Sequence, residues 1–411
     1  MMPPSPSPTA TAADHGFPRH LEGRLVTEHA VWDNARITID EAGVVSTVEQ
    51  TPGIGDITWV PGFVDLHNHG GNSGAFPSGT TEDCRRAARY HRTHGTTTLL
   101  ASLVSATGDE LARQAHRLHP LVDEGLIHGI HMEGPFVNPG KCGAQNPAKI
   151  MPGNPGVFAR VIDASNNTVR SITFAPETDH VDELLQLCAN HNIIASLGHT
   201  NADYATTSAV ITRARELGVT VTATHLFNAM PPIHHREPGA AAACIAAARQ
   251  GQAHLEIIGD GVHLADGTVD MIMAGGNPSA FAITDAMEAA GLADGNYQLG
   301  GLDVTVNAAV ARLTTTDGST GSIAGGTTTL LEQFTRFAAR HSLPEAVAFT
   351  SSNAHAVLGR PTTLQDSTKP KNSTKPKNST KPEDPTAIVG KPIDLVGIAP
   401  NNTIHAVHSA R

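Results

Sequence analysis

Eight short apolar runs alternate with helix-like stretches between about residues 61 and 358, and no other feature narrows the fold as far. The runs are GFVDL (62–66), TTTLLASLV (96–104), LIHGIHM (126–132), VRSITFAP (169–176), NIIASLG (192–198), VTVTAT (219–224), LEIIG (255–259) and AFAIT (280–284). Between them DCRRAARYHRTHG, VDELLQLCANHN and ADYATTSAVITRARELG carry the clearest helical pattern; the last two end in Asn or Gly, as helices prefer. Eight strands alternating with helices over this length predict a (β/α)8 barrel of the TIM type. The competing arrangement is a doubly wound open sheet, but no G-x-G-x-x-G follows the first strand.

The flanks differ from this middle. Residues 1–20 are rich in Pro, Ser and Thr and read as a disordered tail. Residues 21–60 and 359–411 contain short β-like pieces, predicting a small β-sandwich domain built from both chain termini beside the 61–358 barrel. Within the second flank, STKPKN, STKPKN and STKPED repeat over residues 367–384, with five of the eight lysines and no apolar side chain. That segment reads as a disordered insertion.

Composition excludes several functions. The 28 basic and 39 acidic residues leave a net charge of −11, a poor surface for nucleic acid. An anionic substrate would need locally aimed cations or backbone N–H groups. The longest small-apolar run, residues 240–248, is too short for a bilayer, so no membrane partner is expected. The N-terminus, MMPPSPSPTATAAD, has neither a basic start nor an apolar stretch, so no signal peptide is expected. The four cysteines form no C-x-x-C pair and fit a reduced, cytoplasmic setting.

Barrel enzymes place their chemistry at the C-terminal ends of the strands. Run one leads into His67 and His69, run three into Glu133 and run five into His199. His225 follows run six, His263 lies beyond run seven and Asp285 ends run eight. A single such His is ordinarily a surface or satisfied one. Six of eight runs delivering an ionisable group to one rim is a different matter. Imidazole and carboxylate donors without thiolates suit Zn2+, or a related divalent metal, in a catalytic site. Such a site needs a carboxylate to take and return a proton, and Asp285 is the candidate.

PGFVDLHNHG, the later strand-end groups and the two β-like flanks resemble the amidohydrolase superfamily. Within it, HMEGPF (131–136), SLGHTNADY (196–204), THLFNAM (224–230), REPG (236–239), GDGVH (259–263) and TDA (284–286) are similar to the N-acetylglucosamine-6-phosphate deacetylases. The resemblance implies metal-dependent hydrolysis of a phosphosugar acetamide in amino-sugar catabolism. By that resemblance Glu133, His199 and His225 are the main metal ligands and Asp285 is the acid/base. His263 would contact the acetamide carbonyl or the sugar, while Asn228 and Ala229 meet the phosphate. Arg236 would hold the phosphate in the neighbouring subunit's site, which implies a homodimer. His67 and His69, which some members lack, leave one or two ions per subunit open. The loop NPGKCGAQNP (138–147) occupies the place of a substrate-covering flap, with Ala144 and Gln145 as expected substrate contacts. Gln145 stands where some members carry His.

No lysine ends run four, so Glu133 must supply any carboxylate shared by two metals, which speaks against a dihydroorotase-like enzyme. Glu177, after run four, reads as structural. Deacetylation of N-acetylgalactosamine 6-phosphate or another N-acyl amino sugar is the nearest alternative. A non-catalytic binding barrel is the alternative of another class, and it should have lost one of these groups.

Overall fold

The computed structural model describes residues 19–317, 319–359 and 388–409. The 367–384 repeat and residues 1–18 lie outside these. Arg19 and His20, expected in the tail, already pair with Ile39 and Thr38 in the strand Arg19–Val26.

All eight runs become strands of one parallel sheet: Phe63–Asn68, Thr96–Leu103, Gly129–Glu133, Val169–Phe174, Ile194–Leu197, Val221–Ala223, His254–Ile257 and Ala280–Ala282. Their order in the sheet is their order in the chain. The first and last strands then meet. The Asp285 N–H donates to the His67 carbonyl at 2.9 Å, and the His69 N–H to the Ala286 carbonyl at 2.7 Å. A sequential parallel order with such a seam is a barrel and rules out the doubly wound alternative.

Helices cover the sheet because their apolar side chains recur at helical spacing. Thr81–Thr93 buries Cys84, Ala87, Ala88 and His91, the i, i+3, i+4, i+7 stripe of one face. Thr80 and Asp83 cap each other's orphan N–H groups at its start. Val181–His191 stops where Asn192 turns left-handed at φ 54°. Asp203 caps Tyr204–Glu216 by accepting the Thr206 N–H at 2.7 Å. Phe136, Phe158 and Phe174 are fully buried between strands and helices; each such side chain contributes roughly 1.5–3 kcal/mol. The Ala-rich stretch forms the helix Gly239–Arg249. Among the described residues no helix is long and apolar enough to cross a membrane.

The terminal strands Arg19–Val26, Val31–Ile39, Val45–Gln50, Thr58–Pro61, Leu395–Ile398 and Ile404–His408 form one six-stranded sheet. Leu25, Ile37, Trp59 and Leu395 are the centre of its own apolar core. The sequence reading did not foresee a three-stranded antiparallel sheet, Gly295–Leu299, Leu302–Asn307 and Val310–Leu313, inserted after the last barrel strand. Its Leu299, Val304 and Val306 pack with Val104 and Met287, and Ala144 of the 138–147 loop packs against the same cluster.

Candidate metal centre

Glu133 ends the third barrel strand with its carboxylate between two pairs of imidazoles. Its Oε1 lies 2.9 Å from His199 Nε2 and 3.0 Å from His225 Nε2, and those two nitrogens are 3.1 Å apart. On the other side Oε2 lies 3.2 Å from His69 Nε2, which stands 3.1 Å from His67 Nε2. Asp285 Oδ1 reaches the second pair, 3.2 Å from His69 Nε2 and 3.4 Å from His67 Nε2. All six side chains are almost wholly withdrawn from solvent.

The spacing suits a cation. Metal–nitrogen bonds of about 2.0–2.1 Å in a tetrahedron place neighbouring donor atoms about 3.3 Å apart. The donor separations here run from 2.9 to 3.6 Å. Two trios meet the requirement, His67–His69–Glu133 and Glu133–His199–His225, with Glu133 common to both. Nitrogen and carboxylate donors without sulfur fit a divalent metal.

The backbone is bent to aim these groups. His199, His225 and Asp285 adopt positive φ of 48°, 28° and 48°. Each such non-glycine residue costs on the order of 1–3 kcal/mol, and surrounding structure must over-determine it. The tight seam at Asp285 and the carbonyl of Lys141, which accepts the His199 Nδ1–H at 2.9 Å, supply part of that. Gly143 takes the left-handed φ of +58° that favours glycine as the loop passes over His199; space alone would admit a Cβ, 3.4 Å from the ring.

The charges are mutually supporting. Burial alone would raise the Glu133 carboxyl, but His67, His199 and His225 hold it well below the usual carboxylate range. Burial likewise opposes charge on His67, yet Glu133 and Asp285 pull its affinity for protons well above normal. The field that favours protons on His67, His69 and His199 would hold a divalent cation in their place, with release of protons.

The remaining expected site residues lie around this cluster. His263 stands apart, its side chain buried and its Nδ1 2.7 Å from Asp260 Oδ2. Burial opposes charge on His263, but the hydrogen bond to Asp260 and the negative charges of Asp260 and Asp285 together outweigh it, and the ring's pKa rises. Asn228 is tied to its own turn, donating to the His225 carbonyl at 3.1 Å. Ala229, in the left-handed region at φ 52°, accepts the Thr200 N–H through its carbonyl at 3.2 Å. Arg236 lies in the exposed stretch 232–237, and its guanidinium joins none of the groups above. Gln145 is placed differently from expectation. Its Oε1 accepts the Ser105 N–H at 2.6 Å and its Nε2 donates to Glu133 Oε2, so both amide ends are taken inside the protein. Glu177 has the structural place read for it, accepting from Asn138 Nδ2 at 2.9 Å and the Asn201 N–H at 2.7 Å.

One buried carboxylate went unread. Glu256 on the seventh strand lies 3.3 Å from His67 Nδ1. An acidic residue inside the apolar run LEIIG was the available signal, since a buried carboxylate requires partners.

The Amidohydrolase family model matches residues 58–364. The chain belongs to the amidohydrolase family. Among curated amidohydrolase relatives, N-acetylglucosamine-6-phosphate deacetylase of Bacillus subtilis is 32% identical over 363 residues, 82% of this chain and 86% of that protein. N-acetylgalactosamine-6-phosphate deacetylase of Escherichia coli O157:H7 is 27% identical over 74% of this chain and 79% of its own length. Among solved structures, a mutant N-acetyl-D-glucosamine-6-phosphate deacetylase from Mycobacterium smegmatis, in complex with N-acetyl-D-glucosamine-6-phosphate, superposes with a TM-score of 0.82. That amidohydrolase is 35% identical, and the match covers 96% of this chain and 98% of the other.

Proposed function

We propose that this amidohydrolase hydrolyses the acetamide of N-acetyl-D-glucosamine 6-phosphate, releasing acetate and D-glucosamine 6-phosphate. The observation that carries the reading is the placement of Glu133 between two imidazole pairs with Asp285 Oδ1 3.2 Å from His69 Nε2. Glu133, His199 and His225 would hold one divalent ion, and His67 and His69, together with Glu133, would hold a second. Zn2+ is the ion the donor set suits best. When bound, such an ion supplies Lewis acidity and lowers the pKa of water toward neutrality.

The chain's own groups do the rest. Asp285 takes the proton from the attacking water and returns it to the departing amine. Asp260 fixes a proton of His263 on Nδ1; Nε2 then accepts from a sugar hydroxyl when the ring is neutral and donates to the acetamide carbonyl when the ring is protonated. Asn228 and the Ala229 N–H take the phosphate. Arg236, exposed and apart from its own subunit's cluster, serves the phosphate of a neighbouring subunit, so the working form is a homodimer. Gln145 acts through Glu133 rather than on the sugar.

The Escherichia coli relative supports a second reading, the galactosamine epimer, which differs by one hydroxyl. Acetate release from both 6-phosphates and from the unphosphorylated sugars, together with metal analysis, decides between them. Release from neither phosphosugar by the metal-loaded protein would remove both.

A further inference from the structure

Below the imidazole pairs, Glu256 is only 3% exposed, and among the described residues no lysine or arginine pairs with it. Hydrogen bonds hold it instead, as a buried carboxylate requires. Oε1 accepts from Ser196 Oγ at 2.9 Å and from Thr222 Oγ1 at 2.8 Å. Oε2 lies 3.3 Å from His67 Nδ1 and 3.4 Å from the His225 N–H.

The hydroxyls are themselves anchored. Ser196 Oγ meets Thr224 Oγ1 at 2.6 Å, which meets Thr173 Oγ1 at 2.9 Å. Thr173 leads to His131 Nε2 at 2.9 Å, and His131 Nδ1 to Ser102 Oγ at 2.9 Å. Ser102 Oγ accepts the Asn68 N–H at 2.9 Å, beside His67. A belt of hydrogen bonds thus starts and ends next to His67, and Glu256 is its only carboxylate.

As a carboxylate, Glu256 can only accept, so the proton it shares with His67 sits on Nδ1. The His67 lone pair is then left on Nε2, the atom 3.1 Å from His69 Nε2. We propose that Glu256 is a positioning residue that fixes the tautomer and ring direction of His67 and thereby governs cation loading of the His67–His69 half of the centre. This rests on the two-ion reading above. Partners of this kind, behind a ligating His, commonly change metal affinity by roughly 10–100-fold when replaced.

Glu256→Gln tests it. Glutamine has the same size and can keep the Ser196 and Thr222 donors on its oxygen. Its amide nitrogen then faces His67 and requires an unprotonated Nδ1. Zn2+ titration of chelator-stripped protein should give two ions for the wild type. The variant should keep one at wild-type affinity and bind the other roughly 10–100-fold more weakly. Thermal unfolding of both stripped proteins should differ little. Two ions bound with unchanged affinity, equal loss of both, or collapse of the stripped variant's unfolding temperature would each overturn the proposal. The last two would make Glu256 a support of the fold. A wild type that takes up one ion sinks the two-ion reading alone. Imidazole 15N–1H correlation spectra of the Zn2+-loaded proteins then decide the Glu256 part. The expected result is a proton on His67 Nδ1 in the wild type that Glu256→Gln displaces; a bare Nδ1 in the wild type overturns it.

Discussion

The backbone N–H of Asp285 donates to the carbonyl of His67 at 2.9 Å, so the seam that closes the barrel is also the seam of the candidate site. Between these residues the last strand hands over a carboxylate and the first an imidazole, 3.4 Å apart. Loss of barrel closure would therefore pull the Asp285 carboxylate away from the imidazoles it faces.

Asp285→Asn should separate proton transfer from metal holding. Asparagine keeps the shape and the backbone seam but cannot take a proton from water. General acid–base groups contribute roughly 10²–10⁴-fold, so kcat should fall by that order while metal content stays near wild type. Steady-state kinetics with metal analysis checks this; a kcat within about threefold of wild type removes Asp285 from the role.

Stripping the divalent ion should abolish acetate release, and added Zn2+ should restore it. Ligand binding to the folded state alone also raises stability, so unfolding temperature should fall on stripping and recover with the ion. Undiminished turnover in protein verified as metal-free would contradict the mechanism.

Arg236→Ala should damage use of the phosphorylated sugar selectively. On a chain of net charge −11 a phosphate needs aimed cations. A charge-assisted hydrogen bond is worth about 1.5–3 kcal/mol, so kcat/KM for the 6-phosphate should drop by roughly one to two orders of magnitude. The unphosphorylated sugar should be almost unaffected. Equal losses on both sugars would assign Arg236 to the fold or the subunit contact.

His91 predicts an acid-sensitive stability. It sits on the buried stripe of Thr81–Thr93, with Nε2 donating to the Gly70 carbonyl at 2.9 Å and Nδ1 unpartnered. Burial pushes its pKa down to about 4. A depressed histidine means that the unfolded chain binds a proton before the folded one does. The loss of stability therefore begins as pH falls through about 6.5 and is complete below about 4. Between pH 7 and pH 5 this one group should remove about 2 kcal/mol. Denaturant unfolding at the two pH values should show that difference shrinking by a similar amount in His91→Gln; an unchanged difference assigns the acid sensitivity elsewhere.

The order of the barrel strands and the identity of the rim groups were legible in the linear chain, for a physical reason. Strands buried on both faces need unbroken apolar runs, so GFVDL, LEIIG and AFAIT mark themselves, and the polar residue after each run falls at the rim. Helix ends at Asn192 and Gly218 were legible because left-handed closure selects Asn and Gly. Distances between side chains from different strands leave no trace in the linear order. The placing of Gln145 on Glu133, the belt from Glu256 to Ser102, and the packing of Ala144 under the inserted sheet all join residues 12 or more positions apart. The inserted sheet stayed hidden because its strands bury only part of one face and read as ordinary polar loop. Composition and local pattern determine which groups reach the rim; the closure of the barrel decides which of them touch.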